Sequence, residues 1–179
     1  LVIKMKLKNK VAIVTGGGKG IGEEISLGLA KEGAKVVVAD LDKENSSNVV
    51  KEIVKNNGDA IYVETDVSNE ASVKNLISET INRFDQIDIL INNAGIRHVK
   101  KLENHDLSDW DDMISVNLTG PYICCQAVIP EMKKIGKGKI INFGSIASFM
   151  GRPDRVGYVA AKSGILGLTR ALAIDLKGT

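Results

Sequence analysis

Short runs of branched apolar residues alternate with longer amphipathic segments along this chain, a rhythm that few folds accept. Val11-Ala12-Ile13-Val14, Val36-Val37-Val38, Ala60-Ile61-Tyr62-Val63, Ile87-Asp88-Ile89-Leu90-Ile91 and Ile140-Ile141-Asn142-Phe143 are the strand candidates. They lack clean apolar–polar alternation, which marks strands covered on both faces. Between them, Val73, Leu76, Ile77, Thr80, Ile81 and Phe84 recur at offsets of three and four and predict one apolar helix stripe. Val49, Val50, Ile53 and Val54 make a second stripe, Ile21, Ile25 and Leu29 a third that ends at Gly33, and Ile165, Leu168, Leu172 and Leu176 a fourth. Parallel strands need crossover segments, and the helices that supply them must cover both faces of the sheet. The expected fold is therefore α/β, a doubly wound parallel sheet of Rossmann type in three layers, built as one domain over residues 1–179.

The sequence reaches Leu176-Lys177-Gly178-Thr179 where the last of these helices closes. No strand follows to use that crossover, so the strand at 140–143 is expected to be an exposed apolar edge that a further C-terminal portion, or a partner, would cover. At the other end, Met5 is a candidate native start, with Leu1-Val2-Ile3-Lys4 as an appendage.

With 24 basic and 22 acidic residues the formal charge is +2 and the signs are interspersed, which argues against broad binding of nucleic acid or an anionic membrane surface. The basic cluster Lys133, Lys134, Lys137 and Lys139 lacks interleaved aromatics and reads as a solvated turn. No run approaches the ~18 apolar residues of a membrane span, and Leu1 to Lys4 is too short for the apolar part of a signal peptide. The two cysteines are neighbours, Cys124 and Cys125, a pattern that suggests neither a disulfide framework nor a metal site. No metal is expected, and a reducing, cytoplasmic setting fits best.

Thr15-Gly16-Gly17-Gly18-Lys19-Gly20-Ile21-Gly22 follows the first strand and opens the first helix. Glycines allow a tight turn there and the close approach of a pyrophosphate to free N–H groups at the helix start. The spacing departs from G-x-G-x-x-G, so an ordinary glycine-rich turn stays open as a reading. Asp40, at the end of the second strand, is placed to accept hydrogen bonds from an adenosine ribose and to repel a 2′-phosphate, which favours NAD over NADP. Lys19, a cation in the turn, pulls weakly toward NADP. Asp66-Val67 ends the third strand segment, where the acid could meet an adenine amine, and Asn92-Asn93-Ala94-Gly95 ends the fourth. Both could equally be turn chemistry.

Tyr158 and Lys162 lie four apart, so on a helix they share one face. The ammonium would then favour the ionised tyrosine and hold a ribose hydroxyl, and the tyrosine could move a proton to or from an alcohol oxygen as hydride moves at carbon. Ser145, at the end of the fifth strand, could orient the same oxygen, and Asn117, an amide inside a helix, could serve a proton relay. Pairs at this spacing also occur on many inert surfaces.

Taken in order, these pieces resemble the short-chain dehydrogenase/reductase family over nearly all of Lys6 to Leu176. The resemblance implies that Gly16, Gly18, Lys19, Gly20, Ile21 and Gly22 form the cofactor fingerprint, with Asp40 and Leu41 at the adenosine ribose and Asp66 and Val67 at the adenine. Asn93, Ala94 and Gly95 are then the motif after the fourth strand, and Ile96 and Gly144 face the cofactor by backbone. Asn117, Ser145, Tyr158 and Lys162 are its catalytic tetrad: Tyr158 is the acid/base, Lys162 its modulator and ribose ligand, Ser145 the holder of substrate oxygen and Asn117 the anchor of a water. Ala147, Phe149, Arg152 and the loop Asp154-Arg155-Val156 would lie near the substrate entrance.

The same resemblance implies an NAD(P)-dependent oxidoreductase of secondary alcohols or ketones with a small-molecule substrate, and a homotetramer or dimer built on helices around Tyr122 to Met132 and Tyr158 to Leu176. Apolar residues at almost every position of the latter, including Leu166, Ala171, Ala173 and Ile174, agree with assembly. It also implies about seventy further residues closing over the nicotinamide, without which this stretch alone would be poorly active and prone to aggregate. The competing reading is a catalytically inactive dinucleotide-binding or regulatory module, which has no need of Ser145, Tyr158 and Lys162 together.

Overall fold

Five strands, β1 (Val11–Thr15), β2 (Lys35–Asp40), β3 (Asp59–Glu64), β4 (Ile89–Asn92) and β5 (Lys139–Asn142), form one parallel sheet in the order β3-β2-β1-β4-β5 among the residues described, 5–179, of this computed structural model. The expectation for Leu1 to Lys4 lies outside them. Helices α1 (Gly20–Lys31) and α2 (Lys43–Lys55) cover one face, and α3 (Glu70–Phe84) and α5 (Gly120–Lys134) the other. The alternation along β1 shows why both faces are needed. Val11 and Ile13 join Leu76 and Val128 on one side, while Ala12 and Val14 join Val49 and Ile53 on the other. Each valine, leucine or isoleucine among them contributes about 1.5–3 kcal/mol when removed from water. The three-layer, doubly wound arrangement expected from the sequence is the one observed.

Three expectations shift. The stripe of α1 does not bury Ile21, which is 65% exposed, and Gly22 and Ser26 are buried instead. Close packing of the helix start on the sheet requires small residues there and leaves Ile21 facing an open groove. Val54 in α2 is likewise exposed. Asn117 lies not in a regular helix but in a π-helical turn (Ser115–Thr119) that joins α4 (Leu107–Ile114) to α5. At the far edge Ile141 of β5 is half exposed, and the second half of α6 (Val156–Asp175) leaves Ile174 72% exposed.

The lower ends of β1 and β4 are clipped together by Asp88, whose carboxylate is 4% exposed. It accepts from Lys10 Nζ at 2.8 Å, from the Val11 N–H at 3.0 Å and from the Gln86 side-chain amide at 2.6 Å. Burial pushes this carboxyl up, but the three donors outweigh it and hold it below the ordinary carboxylate range. Asp88→Asn puts an amide N–H against one of these donors. It should cost roughly 2–3 kcal/mol, less than a fully buried pair because Lys10 is a third exposed, as read by urea unfolding at neutral pH. Because the folded carboxyl is depressed, its stabilisation is full above the unfolded-state pKa and is lost as pH falls through the folded value. The variant should therefore match the parent in strongly acidic solution, and a constant gap across pH would contradict this assignment.

Candidate active site

The strand order reverses between β1 and β4, and ligands of open α/β sheets bind outside the carboxyl ends of the strands at such a point. Thr15, the last residue of β1, organises this crevice. Its hydroxyl donates to the Ile91 carbonyl at 3.2 Å and accepts from the N–H groups of Asn93 and Ala94, each at 3.1 Å. The Asn93 side-chain amide donates to the carbonyls of Thr15 and Gly16, both at 3.0 Å. The glycine turn is thereby fastened to the end of β4. Gly16 has φ +62°, and a Cβ on it would meet Ala94 Cα at 2.8 Å; a Cβ on Gly22 would overlap the Gly16 carbonyl oxygen.

A groove of about 460 Å³ runs along this crevice, lined among others by Gly16, Lys19, Ile21, Gly22, Asp40 and Leu41 on one side and Asp66, Val67, Asn93, Ala94 and Gly95 on the other. Gly18 and Gly20 are in the same turn, Gly18 buried and Gly20 exposed. The Asp40 carboxylate accepts from the N–H of Gly18 and from that of Asp42, each at 3.0 Å, so one side chain joins the turn to the end of β2. Leu41 is 64% exposed, and with Ile21 it gives the groove two open apolar walls. Lys19 is exposed, and its charge helps Asn45, the larger influence, hold the Asp42 carboxyl below its ordinary range. Asp66 spends Oδ1 on its own turn, accepting from Ser68 N–H at 2.9 Å and the Ser68 hydroxyl at 2.6 Å. Val67 is buried beneath it.

Asn117, Ser145, Tyr158 and Lys162 come from three separate segments, and Asn117 and Lys162 meet at Gly95. A Cβ on Gly95 would stand 2.7 Å from Asn117 Oδ1 and 3.7 Å from Lys162 Nζ. Asn117 is fully buried and pairs with Ile96 in both directions, accepting from its N–H at 3.2 Å and donating to its carbonyl at 3.0 Å. It also donates to the Met113 carbonyl at 3.0 Å. The amide, carried by the π turn, is thus committed to the protein itself. Lys162 is 5% exposed and donates from Nζ to the Phe143 carbonyl at 2.8 Å, with Nζ 6.0 Å from the centre of the Tyr158 ring. Burial lowers its pKa, and no carboxylate pairs with it among the described residues. Ser145 Oγ accepts from the Ala147 N–H at 3.1 Å, which leaves its proton available to donate. Tyr158 is half-buried, one helical turn before Lys162.

Residues 10–179 match the family model described as short chain dehydrogenase. The chain belongs to the short-chain dehydrogenase family. An uncharacterized oxidoreductase of Thermotoga maritima is 42% identical over 170 residues, covering 95% of this chain and 66% of that protein. A 3-oxoacyl-[acyl-carrier-protein] reductase of Synechocystis is 43% identical over 171 residues, covering 95% of this chain and 69% of the relative. Among solved structures, that of levodione reductase superposes with a TM-score of 0.92 at 32% identity, over 96% of this chain and 67% of the other. The chain thus spans about two thirds of the length of these relatives.

Some details escaped the sequence. Ala147, expected beside the substrate entrance, is buried, whereas Phe149 is 78% exposed. Helix α4 begins with a reciprocal cap between Asp106 and Asp109, a D-x-x-D spacing that was there to be read. Both histidines flank this cap. His98 Nδ1 lies 3.3 Å from Asp109, and His105 Nε2 is 2.8 Å from the Lys100 carbonyl. Lys100 Nζ pairs with Asp109 at 2.6 Å and holds its carboxyl down to about 2. Cys124 and Cys125 are structural: burial pushes their thiols up to about 12 and about 11.

Proposed function

We propose that the protein is an NAD-dependent oxidoreductase that interconverts a secondary alcohol and its ketone. The observation that carries this reading is that Gly95, which lines the same groove as the glycine turn and Asp40, is flanked by Asn117 and Lys162, with Lys162 Nζ 6.0 Å from the centre of the Tyr158 ring. The cradle fits a dinucleotide, because glycine at 16, 22 and 95 lets the turn, the helix start and the end of β4 pack closely enough to shape one groove wall, where a Cβ at each would press on Ala94, on the Gly16 carbonyl and on Asn117 respectively. When bound, the nicotinamide supplies the acceptor or donor of hydride. The N–H groups of Gly16 to Gly18 are engaged by Ala39 and Asp40, so those at the start of α1, Lys19 to Gly22, would meet the pyrophosphate, with Asp40 at the adenosine ribose hydroxyls and Asp66 and Val67 at the adenine.

Lys162 keeps N–H donors beyond the one spent on Phe143 that would hold the second ribose, and its Nζ lies 6.0 Å from the centre of the Tyr158 ring. In alcohol oxidation, Tyr158 takes the hydroxyl proton as the carbon gives up hydride, and in ketone reduction it returns that proton. Ser145 donates its hydroxyl proton to the same oxygen. Asn117 fixes Ile96 and Gly95 at the floor of the pocket, so a relay water would be held by backbone atoms of the widened turn rather than by its amide. The apolar residues exposed on α6 support assembly as a homodimer or homotetramer, and no helix among the described residues is long and apolar enough to cross a membrane.

Asp40 supports NAD over NADP, since its carboxylate stands beside the turn where a 2′-phosphate would have to sit. Titration of the full-length protein followed by nicotinamide fluorescence should give at least tenfold tighter binding of NADH than NADPH, and Asp40→Asn should narrow that gap by about tenfold. Tighter NADPH binding by the parent protein would assign the selector role to Lys19 and overturn the NAD reading.

A further inference from the structure

We infer that Ser148 is a positioning residue that holds the Ser145 turn and the Lys162 helix in one register, an inference that rests on the catalytic reading above. Its hydroxyl donates to the Lys162 carbonyl at 2.6 Å and accepts from the Ser145 N–H at 3.0 Å. One oxygen atom thus joins the backbones of Ser145, which the proposed function places at the substrate oxygen, and Lys162, which it places at the cofactor ribose. The Lys162 ammonium donates in turn to the Phe143 carbonyl at 2.8 Å, so Lys162 is tied at both of its ends to the single segment 143–148. Within that segment Ser145 Oγ accepts from the Ala147 N–H, and the Ser163 hydroxyl reaches back to the Ser148 carbonyl at 3.5 Å.

The consequence is geometric. Ser145 follows β5, the edge of the sheet among the described residues, and Lys162 lies inside α6; Asn142 and Thr169 join the same two elements at 2.9 Å, away from the reacting groups. The serine hydroxyl adds a short charge-neutral bridge at Ser145 and Lys162 themselves, without placing a competing charge next to the ammonium. Ser148 is half-buried, with a Cβ on the adjacent Gly144 standing 3.4 Å from its Oγ, so the bridge is sheltered without being sealed.

Ser148→Ala and Ser148→Thr in the full-length protein, with Tyr158→Phe as the control, test this inference. Ser148→Ala should lower kcat by roughly ten- to a hundredfold, the penalty of misplacing a reacting group by a fraction of an ångström to one ångström, with little change in dinucleotide Kd. The acid limb of the pH profile for alcohol oxidation should move, because the Lys162 ammonium would no longer be held at its fixed place 6.0 Å from the Tyr158 ring. Without dinucleotide, hydrogen exchange over residues 143–149 should quicken. Ser148→Thr keeps the hydroxyl and should restore all three.

An unchanged kcat and pH profile in Ser148→Ala, alongside collapse in Tyr158→Phe, would overturn the inference while leaving the catalytic reading intact. Threonine failing as badly as alanine would overturn it too, because the loss would then follow packing rather than the hydroxyl. Activity that survives Tyr158→Phe would instead remove the catalytic reading on which it stands.

Discussion

Replacing Tyr158 by phenylalanine in the full-length protein should lower kcat for secondary-alcohol oxidation by roughly a thousandfold, about 4 kcal/mol of lost transition-state stabilisation, while NADH binds with nearly its parental affinity. The change removes one oxygen atom and keeps the ring. Tyr158 is half-buried in the first turn of α6, so the ring continues to pack and the fold has no reason to suffer. What disappears is the hydroxyl to which the proposed mechanism gives the alcohol proton. Neither neighbour replaces it: Ser145 has its acceptor side engaged by the Ala147 N–H, and Lys162 is a cation already bonded to the Phe143 carbonyl. The measurement is steady-state oxidation of a panel of secondary alcohols with fluorescence titration of NADH on the same preparations. A loss in KM alone would place Tyr158 in binding rather than in proton transfer.

The second large effect belongs to the opposite end of the groove. Gly22→Ala should weaken dinucleotide binding by roughly a hundredfold, about 3 kcal/mol, and lower the unfolding midpoint as well. The added methyl would overlap the Gly16 carbonyl oxygen and stand 2.6 Å from the Asn93 side-chain amide. That carbonyl and that amide are bonded to each other at 3.0 Å, so the intrusion falls on the joint between the glycine turn and the end of β4. The turn must open, and its N–H groups then miss the pyrophosphate. Gly28→Ala on the outer side of α1 is the matched control, since a Cβ there meets nothing within 4 Å, and it should leave binding unchanged. Equal behaviour of the two variants would show that closeness of turn and helix is unimportant for binding. Circular dichroism separates lost affinity from lost fold.

The sheet was legible because its strands are covered twice. Val36, Val37 and Val38 can be consecutive only where both faces are dry, and each is fully buried. The helices were less so, because period alone does not say how far a face reaches into solvent. Ile21 lies on the apolar stripe of α1 yet faces the groove, since packing at the helix start is taken over by Gly22 and Ser26. The four tetrad positions stood out through order and spacing. Their mutual support did not: the Ser148 bridge, the pairing of Asn117 with Ile96 and the role of Thr15 depend on contacts across 14 to 79 positions of sequence, for which a single chain carries no local signal. The π turn at Asn117 is similarly hidden, being set by the bonds the amide makes after folding.

The most direct test of the central claim follows hydride itself. Full-length protein is supplied with NADH carrying deuterium at the reactive ring carbon and with a panel of ketones, and the alcohols formed are analysed by mass spectrometry. The account predicts deuterium on the carbinol carbon of at least one product, from one face of the ring only, and its appearance roughly a thousandfold more slowly when Tyr158→Phe replaces the parent protein. Tight NADH binding without deuterium in any alcohol would contradict it, and would leave the groove as the site of a dinucleotide-sensing module.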